Sequence, residues 1–220
     1  MDFKSIAQSF SRKSQAEQIK RVVVILGLPR SGTTLAAALL DAHPLCTGCF
    51  EPWNAGVVSS SRPRLSIEEL FKARGVGISK REAVGALFSA DRGAVIGNTL
   101  VIKETSVHKH GIRWTGKLLS ALPSDIDKHL LWSFRSLSNT YLSHIHRSRS
   151  GWGRDVSISV ETYDKWAARS FASIAEILDV VKEHKGIAYS YSALCKNPTE
   201  FLENLMPNLG LGFDPQQLAF

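Results

Sequence analysis

The sequence lacks the features that mark exported, membrane-spanning and disulfide-rich proteins. No apolar run in its 220 residues approaches the roughly 18 to 20 residues that a bilayer-spanning helix needs. Residues 1–20 are polar, with no apolar block and no small-residue cleavage site, so we expect a polar helix or arm there and a cytoplasmic protein. The three cysteines cannot form an even disulfide framework.

Two of those cysteines, Cys46 and Cys49, form a C-x-x-C pair. A structural metal site of this type needs a second Cys or His pair at suitable spacing, and none follows. A redox pair would favour a helix start, whereas these residues fall in a predicted short strand. We interpret the pair as packing residues and predict no metal site.

Acidic residues are in deficit: 20 Asp and Glu stand against 27 Lys and Arg, a formal net charge of +7. Such an excess indicates an anionic partner. No nucleic-acid-binding motif accompanies the basic residues, so nucleic acid is not expected. A bound nucleotide with several phosphates would explain part of the excess, and a solvated basic surface would explain the rest.

Strand and helix patterns alternate along most of the chain, which predicts one α/β domain spanning residues 1–220. Short, unalternating apolar runs such as VVVIL are typical of strands buried on both faces of a parallel sheet. We therefore expect a central parallel sheet of about four to five strands, flanked by helices. The predicted strands are 22–26, the short segment around Cys46 and Cys49, 99–103, 129–134 and 186–191, and the predicted helices are 35–43, 111–121, 137–148, 160–184 and 199–209.

Residues 54–97 depart from the alternation of strands and helices, because they contain two helical patterns and no convincing strand. Insertions at the carboxyl end of a parallel sheet commonly build the substrate side of a site. We expect this segment to form a helical lid that binds the acceptor.

The first strand runs into a glycine-bearing loop and then a helix. Gly27 and Gly32 have the G-x-x-x-x-G spacing of a P-loop, and Arg30, Ser31, Thr33 and Thr34 complete the segment. Glycines let backbone N–H groups turn inward toward an anion, and the helix start adds its own free donors. The segment predicts a phosphate-binding cradle in a P-loop nucleotide-binding fold.

The residue after Gly32 is Thr33, where nucleoside triphosphatases place a Lys. Without that Lys, a triphosphate in transfer lacks its usual charge compensation. Arg30 and Lys103 are the available cations, and they suit a ligand with less charge at the transfer point, such as a sulfuryl group.

The string P-R-S-G-T-T, followed by a helix and L-D-A-H-P, resembles the 5′-phosphosulfate loop of the sulfotransferases that use 3′-phosphoadenylyl sulfate (PAPS). Within that family, this string is most similar to the loops of the tyrosylprotein and carbohydrate branches. A second segment, 129–143, agrees: in this family a strand-end Arg and a helix Ser eight residues later hold the donor's 3′-phosphate, and the matching residues are Arg135 and Ser143.

A third segment, beginning at Tyr191, resembles the family's Y-E-D-L ending, which implies that Tyr191 also contacts the donor. Asn139 stands where many members carry Asp. The small-molecule members' later basic glycine segment has no counterpart before Phe220, which leaves open a site completed by residues beyond that point or by a partner.

For the chemistry, the resemblance implies that Lys103 is the catalytic lysine bridging the leaving oxygen and the sulfuryl group. It also implies that Glu51 is the base, as in the protein-tyrosine and glycan branches. A carboxylate at the carboxyl edge of the sheet, facing a cationic pocket, suits that role. His108 is the alternative base.

The predicted function is metal-free, in-line transfer of a sulfuryl group from PAPS to a hydroxyl or amine. The acceptor is a small molecule, glycan or peptide, acidic if the basic lid binds it. Two alternatives stay open: a small-molecule kinase using ATP and Mg²⁺, and a non-catalytic nucleotide-binding module.

Overall fold

The computed structural model describes residues 19–50, 97–105, 111–152 and 158–218. The predicted arm at 1–20 and lid at 54–97 lie outside these residues, apart from their last positions. Among the described residues, no helix is long and apolar enough to cross a membrane.

Five parallel strands form the centre of the fold and confirm the predicted α/β class. They are β1 (Arg21–Gly27), β2 (Cys46–Phe50), β3 (Thr99–Thr105), β4 (Asp127–Phe134) and β5 (Ile187–Ser190). Their order across the sheet is β2-β3-β1-β4-β5, so β1 lies in the middle. It pairs with β3 on one side and β4 on the other, and Gly27 aligns with Thr105 and Ser133. The loop after β1 therefore leaves the centre of the sheet's carboxyl edge.

In the described part of the chain, six α-helices flank the sheet: α1 (Thr33–Asp41), α2 (Gly111–Ala121), α3 (Leu137–Trp152), α4 (Val160–Glu183), α5 (Tyr191–Lys196) and α6 (Pro198–Asn208). Sequence signals explain several of their ends. The Ser159 side chain accepts from the Thr162 N–H in a capping box that starts α4, and Asn197 caps α6 directly before Pro198. Alanine and leucine favour α1, which ends at Asp41, three residues before Pro44.

The core lies in two layers because alternate residues of each strand face opposite sides of the sheet. Val22, Val24 and Leu26 of β1 pack with residues of α2 and α4. Val23 and Ile25 pack on the other side, with residues of α1, α5 and α6. Both faces are covered, which is why the strands are continuous apolar runs.

The structure corrects several predicted boundaries and adds one short element. β3 continues to Thr105, so Lys103 lies two residues before the strand's end. β5 ends at Ser190, and Tyr191 begins the short helix α5, which the sequence did not indicate. Residues Pro215–Leu218 form a 3₁₀ helix that was not predicted. The helix α3 extends to Trp152, four residues past its predicted end.

Candidate active site

The loop after β1 begins at a position with no room for a side chain. A Cβ on Gly27 would lie 2.5 Å from Ser31 Oγ and 3.0 Å from the Ser133 carbonyl oxygen. The loop therefore folds back on its own strand and against β4. This close approach requires glycine at the first position of the motif.

Ser31 stabilises the loop from inside. Its N–H and its hydroxyl both donate to the Leu28 carbonyl, at 3.1 and 2.7 Å. In turn the Ser133 hydroxyl donates to the Ser31 carbonyl, at 2.7 Å. These bonds are buried, so they tie the loop to the neighbouring strand at little cost in exposed polar surface. The contacts of Ser31 shape the loop, and its side chain does not line the pocket described below.

Two residues of the loop have left-handed backbone conformations. Arg30 has a φ of 71° and Gly32 a φ of 96°. Left-handed residues in a turn orient successive N–H groups toward one point, which makes an anion-binding concavity, or nest. Gly32 is also the N-cap of α1, and no side chain caps this helix. The first N–H groups of α1 thus add to the nest.

Two arginines and a serine surround the nest. Arg30 Nε donates to Ser143 Oγ at 3.2 Å, and Arg135 Nη1 donates to the Arg30 carbonyl at 3.2 Å. The guanidinium of Arg135 lies 4.6 Å from the centroid of the Tyr191 ring, a cation–π contact. Residues from the end of β4, the first half of α3 and the start of α5 therefore lie around one loop.

These groups enclose a pocket of about 210 Å³. That volume has room for more than one phosphate or sulfate group and is smaller than the roughly 300–1,000 Å³ of pockets that hold whole ligands. No carboxylate lines it among the described residues, so its charge is cationic. The lining residues are Arg30, Gly32, Thr33, Thr34, Leu35, Arg135, Ser143 and Tyr191. The structure thus brings together all but one of the residues predicted to bind the donor, the exception being Ser31.

Tyr191 closes one wall of the pocket. A Cβ on Gly32 would lie only 2.1 Å from Tyr191 Cδ2, so the ring covers the backbone of the nest. A hydrogen bond with Cys195 raises the pKa of the Tyr191 phenol, and burial adds to the rise, against the opposing effect of Arg135 and Arg30. The phenol therefore stays neutral near pH 7, and the ring leaves the positive charge of the pocket intact.

Lys103 lies beside this pocket rather than in its wall. Its neighbours across the sheet are Ile25 and Phe50, and its side chain is buried. It follows Val101 by two residues, so it shares the face of the sheet that α1 covers. The predicted base Glu51 and its alternative His108 lie outside the described residues.

Sequence reasoning missed two residues of the site. Leu35 lines the pocket from the first turn of α1, and Ser133 holds the loop from β4. A signal for Ser133 existed, because it is the one polar residue in the apolar end of HLLWSF. No comparable signal marked Leu35, since leucine in a helix is ordinary.

The L-D-A-H-P segment after α1 has structural contacts. Asp41 Oδ1 accepts from the Gly48 N–H at 2.6 Å, which joins the end of α1 to β2. The Leu45 N–H donates to His43 Nδ1, so the ring's proton is on Nε2, 3.1 Å from the Gly212 carbonyl. These bonds fix the path from the nest helix to the strand that precedes Glu51.

A second hollow, of about 510 Å³, lies between β5 and α6 and is larger than the nest pocket. It is lined by apolar residues such as Phe201, by the charged residues Lys196 and Glu200, and by three asparagines, Asn197, Asn204 and Asn208. It shares no lining residue with the nest pocket and contains no nest. Size therefore does not identify the anion site here, whereas backbone geometry and charge do.

Residues 22–92 match the model of the "Sulfotransferase family". This segment contains all but the first residue of β1, together with the nest and α1. The predicted sulfotransferase resemblance is confirmed. No curated protein matches the sulfotransferase-like chain.

Solved structures share the fold at low identity. The sulfotransferase domain of the Synechococcus PCC 7002 olefin synthase superposes with a TM-score of 0.54 and 16% identity, covering 91% of this chain and 76% of that one. The sulfotransferase domain of the curacin biosynthetic pathway gives 0.54 and 16%, covering 91% and 77%. Mouse sulfotransferase SULT7A1, complexed with PAP, gives 0.50 and 11%, covering 96% and 66%. The sulfotransferase-like chain thus has the P-loop sulfotransferase fold and spans about two thirds to three quarters of these structures.

Proposed function

We propose that this protein transfers a sulfuryl group from PAPS to a hydroxyl or amine of an acceptor. The observation that carries the proposal is the pocket at the carboxyl edge of the sheet, where a left-handed backbone nest is combined with two arginines. The position after Gly32 is Thr33, so the lysine that serves a transferred triphosphate is missing. The fold shared with PAP-bound mouse SULT7A1 supports the same donor.

The proposed donor site has two parts. The nest at Arg30–Thr34 holds the 5′-phosphosulfate through backbone N–H groups and the α1 dipole. Arg135 and Ser143 hold the 3′-phosphate, because a guanidinium fork forms bidentate, charge-assisted bonds with phosphate oxygens. Tyr191 supports both parts, since its ring covers Gly32 and contacts Arg135.

The proposed transfer is a single in-line displacement. The acceptor oxygen or nitrogen forms a bond to sulfur while the bond from sulfur to the 5′-phosphate oxygen breaks. Glu51 takes the acceptor's proton, and Lys103 neutralises the charge that develops on the leaving oxygen. Positioning by the nest supplies much of the rate enhancement, as in phosphoryl transfer.

The acceptor is proposed as a small molecule, glycan or peptide, and an acidic one if the basic segment at 62–92 contacts it. The cytoplasmic location, the lid at 54–97 and the absence of a metal requirement stay predictions from the sequence.

Ligand-induced stabilisation tests the donor assignment. A ligand that binds only the native state raises the melting temperature. We expect adenosine 3′,5′-bisphosphate to raise it in the presence of a chelator, and adenosine 5′-monophosphate to raise it much less, because only the former fills both anion sites. Stabilisation by ATP with Mg²⁺ alone would favour the kinase alternative. Equal stabilisation by unrelated polyanions would favour a non-catalytic module.

Replacement of the proposed base separates chemistry from binding. Glu51→Gln removes the proton acceptor and keeps the shape of the side chain, so we expect turnover to fall by about 10²–10⁴-fold. Affinity for adenosine 3′,5′-bisphosphate should stay within a factor of about two. Turnover is measured as transfer of labelled sulfate from PAPS to a panel of sugars, phenols, lipids and peptides. An equal loss of binding and turnover would exclude Glu51 as the base, and His108→Gln would then be the next variant.

A further inference from the structure

The outer face of α4 carries an exposed apolar stripe. The inner face of this helix is buried through Ala167, Ser170, Ile177 and Val180. On the outside, Phe171 is 59% exposed and Leu178 is 42% exposed, although both are large and apolar. Two exposed alanines complete the stripe, which consists of Ala168, Phe171, Ala175 and Leu178. Exposed apolar groups in a continuous row indicate an interaction surface.

The spacing of the stripe is that of a coiled-coil seam. Its members follow one another at intervals of three, four and three residues, the a and d positions of a heptad repeat. Asp164 lies four residues before Ala168, and Lys182 lies four residues after Leu178, so both continue the seam. Both are exposed. The seam therefore has an apolar centre, an acidic start and a basic end.

This order of residues is complementary to itself when two copies run antiparallel. With the two-fold axis at the level of residue 173, Ala168 faces the partner's Leu178, and Phe171 faces the partner's Ala175. A small side chain then lies opposite a large one in each apolar layer, which favours close packing. Asp164 faces the partner's Lys182, so each end of the seam joins opposite charges.

A parallel arrangement would be unfavourable for the same residues. It would place Phe171 against its own copy, alanine against alanine, and like charges together at Asp164 and at Lys182. The charge pattern therefore favours the antiparallel over the parallel orientation of two copies.

The intramolecular contacts of α4 leave this seam accessible. Arg113 of α2 lies 3.8 Å from Glu176, which is on a different flank of the helix from the stripe. Tyr163 and Trp166 pack with Tyr141 of α3. None of these contacts with α2 and α3 involves a residue of the stripe.

We propose that the stripe is a homodimer interface, in which α4 of one copy packs antiparallel against α4 of a second copy. The proposal is independent of the sulfotransferase assignment. An α4 of 24 residues is about 36 Å long, so the contact belongs with small, reversible interfaces. We expect a monomer–dimer equilibrium that depends on protein concentration.

Sedimentation velocity of the full chain, over about 1 to 100 µM, tests the dimer because that range brackets a weak association. We expect the sedimentation coefficient to rise with concentration. Phe171→Glu should abolish that rise, because it puts a charge into the apolar centre. Val160→Glu is the matched control: Val160 is 77% exposed on the same helix but lies before Asp164, beyond the end of the seam, so the variant should dimerise like the parent. A monomer throughout, or a dimer that survives Phe171→Glu, would overturn the proposal.

Charge exchange tests the orientation. Asp164→Lys should raise the dissociation constant about tenfold, since two symmetry-related pairs become repulsive at once. Lys182→Asp should do the same, and the double variant should restore dimerisation. Far-UV circular dichroism and melting temperatures verify that each variant is folded, as expected for exposed positions. Failure of the double variant to recover would exclude the antiparallel register even if Phe171→Glu dissociates the dimer.

Discussion

The nest and Lys103 both lie near the carboxyl edge of the sheet, but different interactions hold them in place. The nest depends on two left-handed residues and on hydrogen bonds that connect it to β4 and α3. Lys103 lies within a regular parallel ladder and is fixed by β1 and β2 on either side. The first region is therefore sensitive to backbone geometry and the second to side-chain chemistry. We therefore expect substitutions in the nest to reduce donor binding, and substitutions of Lys103 to reduce sulfuryl transfer.

The largest effect on binding is expected from Gly32→Ala. The new Cβ would lie 2.1 Å from Tyr191 Cδ2, at a φ of 96° that L-residues rarely adopt. The ring and the nest cannot both keep their positions, so we expect no measurable binding of adenosine 3′,5′-bisphosphate by calorimetry. Gly212→Ala is the control, because nothing lies within 4 Å of its Cβ. Normal binding by Gly32→Ala would mean that the nest is not the anion site.

In the strand β3, Lys103→Met should leave donor affinity nearly unchanged and reduce turnover. Loss of one preorganised charge at the leaving oxygen commonly costs about 10²–10³ in rate. The measurement is single-turnover transfer at saturating PAPS. Lys128→Met serves as control, since Lys128 Nζ donates to the Leu122 carbonyl near the beginning of β4, at the opposite edge of the sheet. Affinity that falls in parallel with rate would place Lys103 among the binding residues instead.

A smaller effect is expected from Arg135→Lys. Lysine keeps the charge but loses the planar fork, so bidentate bonding to phosphate and the stacked contact with Tyr191 are weakened. We expect about a tenfold loss of affinity for adenosine 3′,5′-bisphosphate and little change for adenosine 5′-monophosphate. Arg113→Lys, on α2, should change neither. Equal losses for both nucleotides would assign Arg135 to the nest rather than to a separate 3′-phosphate site.

The smallest effect concerns stability, away from the site. Burial lowers the pKa of His129, with Arg21 acting in the same direction and Asp127 opposing both. As pH falls below about 6.5, the unfolded chain binds a proton at this residue while the folded chain does not. Stability should therefore decrease on acidification through this range. His129→Gln should flatten that dependence in urea titrations at several pH values, whereas an unchanged slope would exclude His129 as its source.

Local features of the sequence predicted the sheet and the nest well. Each predicted strand is present because buried parallel strands are continuous apolar runs, and the nest follows from glycine spacing within one short segment. Tyr191 shows the limit of this reasoning. It was assigned to the last strand, but β5 passes into α5 without a loop, and six residues are too few for a helical pattern.

The contact of Tyr191 with Gly32 was beyond prediction for a related reason. The two residues lie far apart in the chain, and only the sheet order brings β5 and α5 to the nest. The placement of Ser31 also required the structure, because a serine in a phosphate loop can face the ligand or the loop itself. Here its hydroxyl bonds to Leu28.

The hydrogen bond from Arg30 to Ser143 has a consequence for how a phosphate would be received. A hydroxyl that already accepts from a guanidinium is polarised, and its own proton becomes a stronger donor. Ser143 can therefore give that proton to an incoming oxygen without releasing Arg30. Binding of a phosphate at Arg135 and Ser143 would then strengthen the hydrogen bond that holds Arg30 in the nest. The two phosphate-bearing ends of one nucleotide would therefore favour each other's binding.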